Sequence, residues 1–190
     1  MRNNSDTVIR SLHDVGLSAW FGGALMGAVG VNGAAAEADK ATERTGIAAS
    51  GWAKWSPVSA AAIATHLIGG AGLLISQRKR VRNRRDTKAN TIVKTAITGA
   101  ALAATAYSGY LGAKLAAAGA VPAEGATDPG PATPEDVAST QRQLRALQWA
   151  IPLLTGALVV LGAQQGEQQR PLRILRSVAR GPLRIAGTHG

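Results

Sequence analysis

The chain has no cysteine among its 190 residues, which excludes disulfides, thiolate nucleophiles and zinc–thiolate sites. More telling is where charge is missing. All 21 Lys and Arg and all 11 Asp and Glu fall outside four blocks, 15–36, 55–77, 95–113 and 146–166. Each block is about as long as the roughly 20 residues a helix needs to cross about 30 Å of hydrocarbon. A soluble amphipathic helix would carry charge on its outward face at the 3.6-residue period. None of the blocks does, so membrane spans are preferred to a soluble bundle. This holds although Ala and Gly dominate the blocks and mean hydropathy is only +0.04. The blocks also lack carboxylates and hold one histidine, His66, too few parts for acid–base, nucleophilic or metal chemistry.

The charge that is present is strongly unbalanced. Net charge is +10, which in a soluble protein would suggest nucleic acid. Here the excess gathers at 77–94, where Arg78, Lys79, Arg80, Arg82, Arg84, Arg85, Lys88 and Lys94 face a single Asp86. Uncharged runs flank this stretch, the pattern of a short cytoplasmic loop between two spans. In the tail, Arg173, Arg176 and Arg180 alternate with Leu172, Leu175 and Val178, predicting a short basic helix that Gly181-Pro182 stops. Anionic lipid of the inner leaflet suits this charge better than nucleic acid, since no aromatic is interleaved for base stacking.

These features predict an all-α, polytopic four-transmembrane-helix bundle in the plasma membrane, with both termini cytoplasmic. Residues 1–14 form the N-terminus and the spans are 15–36, 57–76, 95–116 and 147–165. The outer segments are 37–56 and 117–146, the basic loop is 77–94 and the tail is 166–190. The alternative of a cleaved signal peptide ending at Ala34-Ala35-Ala36 is disfavoured by the length and glycine content of the first block.

Within the spans, Ala19, Gly23 and Gly27 line one face for close helix packing or for oligomer contact. His66 lies between Ala62 and Gly70 on a small-residue face, which points it into the bundle. Thr98, Thr105 and Ser108 share a stripe with Ala101 and Gly112, and Thr105 or Ser108 is the expected partner of His66. Trp52, Trp55, Trp149 and Tyr110 fit the aromatic belt at the outer interface. The Pro/Gly-rich run 119–133 reads as a flexible linker, after which Thr133 would cap a helix opening at Pro134. Pro152 predicts a kink in the last span.

The runs LSAWFGGALMGAVGVNGAAAEA and SPVSAAAIATHLIGGAGLLI resemble small four-span membrane proteins of high-GC, actinobacterial-type bacteria to which no activity is assigned. The excess of Arg over Lys fits such a source. The resemblance implies the four-span fold and transfers no catalytic residue. The expected function is therefore a non-enzymatic accessory or scaffolding subunit without cofactor or metal. It would pack through small-residue faces against a membrane-protein partner or a second copy. The alternatives are a small transporter or channel using His66, and a membrane-embedded enzyme acting on a quinone or lipid.

Overall fold

The computed structural model describes residues 2–83 and 85–179, with side chains over 6–76, 78 and 88–164. Every regular element among them is helical. The first rod comprises α1 (Arg2–Met26), a π-helical turn (Gly27–Val31) and α2 (Asn32–Ala36), and the residues at both junctions keep right-handed helical dihedrals. Then come α3 (Arg44–Asn83), α4 (Arg85–Ala117) and α5 (Glu135–Ala179). The first rod packs on α3 and α5, and α4 packs on the other sides of α3 and α5, which makes a four-membered ring.

Glycine sets the closest approach. A Cβ built on Gly16 would lie 2.5 Å from the His66 backbone nitrogen, and one on Gly69 would lie 2.4 Å from that of His13. Further along, the Trp55 ring fills the space over Gly23 and the Trp52 ring the space over Gly27. These pairs run antiparallel along α1 and α3 as indole knobs in glycine holes. Gly23 and Gly27 are thus the close-packing positions expected of them, here toward α3 of the same chain. Trp52 and Trp55 are thereby part of the α1–α3 interface.

The central core joins Leu17, Trp20 and Ala24 of α1 to Ala101 of α4 and Ile151 and Leu158 of α5. A second cluster, Leu111, Leu115, Val137 and Leu144, closes α4 on α5. Outward, large apolar side chains stay exposed: Met26 64%, Ile68 67%, Ile75 68% and Leu153 72%. Three helical segments are long and apolar enough to cross a membrane, Asp6–Ala36, Arg44–Ser76 and Glu135–Gln164. Together these observations suggest a membrane protein. The expected third span, 95–116 in α4, is not among the three segments, because its Thr, Ser, Tyr and Gly dilute the Ala and Leu.

The basic stretch 77–94, expected to connect two spans, is helical on both sides of position 84. Arg84 and Arg180 lie outside the described residues, as do the side chains of Lys79, Arg80, Arg82, Arg85, Arg173 and Arg176; Arg78 is exposed.

The run 119–133 is a folded cap. Gly119, at φ 75°, supplies the left-handed residue that ends α4. Glu124 and Gly125 N–H then donate to the Asp128 carbonyl at 2.9 and 3.0 Å. Arg44 donates to the Ala123 and Glu124 carbonyls, and the fully buried Gln141 donates to those of Gly125 and Ala126. Thr133 does not cap α5. Its hydroxyl accepts from Gly130 N–H and donates to Pro122 O, stitching the cap together, while α5 starts at Glu135. Past Pro152, α5 stays helical.

Candidate functional site

A cavity of about 460 Å³ lies inside the bundle, between the cap and the level of Ile63 and Thr105. Three of the chain's four indoles, Trp20, Trp52 and Trp55, line it. So do two side-chain amides, Asn32 and Gln148, and hydroxyls that include Thr45, Ser56, Ser59, Thr105 and Ser108. None of its lining residues is ionisable. Exposed small residues border it on two helices, Ala53, Ser56 and Ala60 on α3 and Gly109, Ala113 and Ala116 on α4. The opening therefore lies between α3 and α4, the least closely packed neighbours in the ring.

The first rod shapes the rear wall. A π turn carries an extra residue per turn and re-aims the side chains beyond it. Asn32, the residue just past it, bridges two helices: its Oδ1 accepts from Trp52 Nε1 at 3.0 Å and its Nδ2 donates to Gln148 Oε1. Deeper in, Trp20 Nε1 donates to Thr105 Oγ1 at 3.3 Å, and the Thr105 hydroxyl donates to Ala101 O at 2.8 Å. Two lining hydroxyls have no hydrogen-bond partner, Thr45 Oγ1 and Ser108 Oγ, and Thr45 is only 8% exposed. A buried hydroxyl without a partner costs about 1–3 kcal/mol. Both oxygens lie buried in the wall of the crevice.

His66 does not meet the third-span hydroxyls. It is 3% exposed and turned toward α1, its Nδ1 bonded to the His13 carbonyl at 3.1 Å. Thr105 is taken by Trp20, and Thr98 is partly buried on the same helix. Sequence reasoning assigns His13 to the N-terminus and so misses it. Helix α1 carries it alongside His66, with ring centroids 4.2 Å apart, and Asp14 Oδ1 lies 3.0 Å from His13 Nδ1. A signal exists in the sequence: His13, Gly16 and Trp20 succeed each other at three- and four-residue steps. Among the described residues no group of three or more His, Cys, Asp or Glu could hold a metal ion. Gly70 sits against the His13 ring, and Gly112 borders the crevice with open space where a Cβ would be.

Near the basic end, burial pushes the Lys94 ammonium below the usual lysine range; Arg10 adds to the effect and Asp14 opposes it. Tyr107 and Tyr110 stack 6.0 Å apart on α4, and the Tyr107 hydroxyl donates to Gln143 Oε1 at 2.9 Å.

No protein-family model, curated protein or solved structure matches the chain.

Proposed function

We propose that the chain is a four-span plasma-membrane protein with both termini cytoplasmic, acting by binding rather than catalysis as an accessory subunit. The observation that carries this reading is the crevice. Its lining has hydrogen-bonding groups without an ionised side chain or a nucleophile–base pair, and its mouth opens sideways between two helices through small residues. Such a surface suits uncharged chemistry within the bilayer plane, where small side chains allow close approach. The basic inner ends, with Arg78 and Lys88 exposed, contact anionic lipid or a cytoplasmic partner.

Because the chain has no native cysteine, single cysteines report topology without background. Asp39→Cys and Ala118→Cys are expected to react with an impermeant maleimide on intact cells, and Arg78→Cys and Lys88→Cys only after permeabilisation. Labelling of Lys88→Cys from outside would break the four-span reading. Affinity purification in mild detergent then tests the accessory role, with a stoichiometric co-purifying chain as the expected result.

A further inference from the structure

We infer that the α3–α4 crevice is a binding slot for one uncharged lipid, a neutral oxygen-bearing head on a single long hydrocarbon chain, drawn sideways from the bilayer. The inference rests on the binding reading above and names its ligand.

Four observations converge. Thr45 and Ile63, which bound the cavity along α3, are 18 residues apart, roughly 27 Å at 1.5 Å per helical residue. Spread over that length, about 460 Å³ leaves room for one extended chain and not for another helix, which is about 10 Å across. With no charged lining residue, nothing offsets the desolvation of a phosphate, so an anionic headgroup is rejected. Thr45 Oγ1 and Ser108 Oγ lie buried without a partner in the wall of the slot, Thr45 being more than nine-tenths buried, so a ligand whose carbonyl or hydroxyl oxygens reach them gains bonds that the empty slot lacks. Finally, the mouth is bordered by exposed Ala53 and Ala60 facing exposed Gly109 and Ala113, a gap without side chains to block a chain entering from the side.

The indoles make the test direct. In a Trp149→Phe background every remaining tryptophan lines the slot, so a brominated chain that enters must quench the fluorescence. Full-length protein in nanodiscs would be titrated with brominated monoacylglycerol and, separately, with lysophosphatidylglycerol carrying the same brominated chain. Saturable quenching by monoacylglycerol and only weak, linear quenching by the anionic lipid is expected. Competition by unlabelled monoacylglycerol or by a short-chain isoprenoid benzoquinone then tells which neutral head is preferred.

Gly109→Leu and Ser56→Leu, which plug the mouth from opposite sides, are expected to abolish saturation. Gly99→Leu, at a glycine with equally open space but away from the slot, leaves it intact. Thr45→Val and Ser108→Ala each weaken binding by about two- to tenfold. Equal quenching by both lipids, or saturation that survives both plugs in folded protein, overturns the inference. A lipid-free slot alongside a stoichiometric protein partner overturns it too but leaves the binding reading standing; α4 outside the membrane removes both.

Discussion

Trp20 on α1 and Thr105 on α4 are joined across the diagonal of the helix ring, Nε1 donating to Oγ1 at 3.3 Å. Trp20 is only 1% exposed, so the indole both fills the centre and pins the two helices that share no side of the ring. Trp20→Phe keeps most of the volume and loses the bond, while Thr105→Val removes the other partner. Each is expected to cost about 1 kcal/mol in detergent unfolding. The double-mutant coupling should be about 0.6 kcal/mol, as is usual for bonds between membrane helices. Zero coupling would mean that packing alone makes this contact.

The α1–α3 seam makes an ordered prediction about glycines. Gly16→Ala and Gly69→Ala each place a methyl against backbone, which cannot rotate away. Parting the helices there should cost about 1–3 kcal/mol. Gly70→Ala meets only the His13 ring at 3.4 Å and should be nearly neutral, and Gly99→Ala, in open space within a helix, should stabilise slightly. Thermal unfolding of the four variants checks the ranking. A Gly16→Ala chain as stable as Gly99→Ala would show that the helices do not approach so closely.

The helices are legible in the sequence because uncharged blocks of about 20 residues have the length and composition of membrane-crossing helices, which three of the observed helical segments share. Their pairing is harder to read. Trp52 and Trp55 satisfy the rule for interfacial aromatics, and only a partner helix with Gly27 and Gly23 at matching height reveals them as knobs. The cap escapes for a related reason. Pro and Gly mark the run 119–133 as irregular, but the donors that order it, Arg44 and Gln141, lie far away in sequence. The spacing around His66 marks it as an inward-facing group, and α4 looks like its partner because α4 offers hydroxyls. A backbone carbonyl on α1 has no sequence signature.

His66 itself should behave as a packing residue. His66→Ala removes a side chain only 3% exposed and its bond to the His13 carbonyl. The expected cost is about 2–3 kcal/mol, with neutral-lipid quenching unchanged because His66 does not line the slot. Proton leak through vesicles holding wild-type or His66→Ala protein should be equal. A conductance present in the wild type and lost in the variant would favour the transport alternative, with the neighbouring His13 and Asp14 as its next members.

Asn32 gives the sharpest contrast between removal and replacement. It accepts from Trp52 and donates to Gln148, so Asn32→Ala strands an indole N–H and an amide oxygen at once beside an uncharged slot. Each buried group left unpaired costs about 1–3 kcal/mol. Asn32→Asp keeps an acceptor for Trp52 but turns a carboxylate toward the Gln148 oxygen and places a charge on the lining. It should fold poorly and bind no neutral lipid. Asn32→Ala combined with Gln148→Leu removes both ends of one bond and should recover part of the stability lost by Asn32→Ala alone, which unfolding in detergent would measure. If the double variant is less stable than the single one, Gln148 has another partner and Asn32 is not the node that joins α3 to α5.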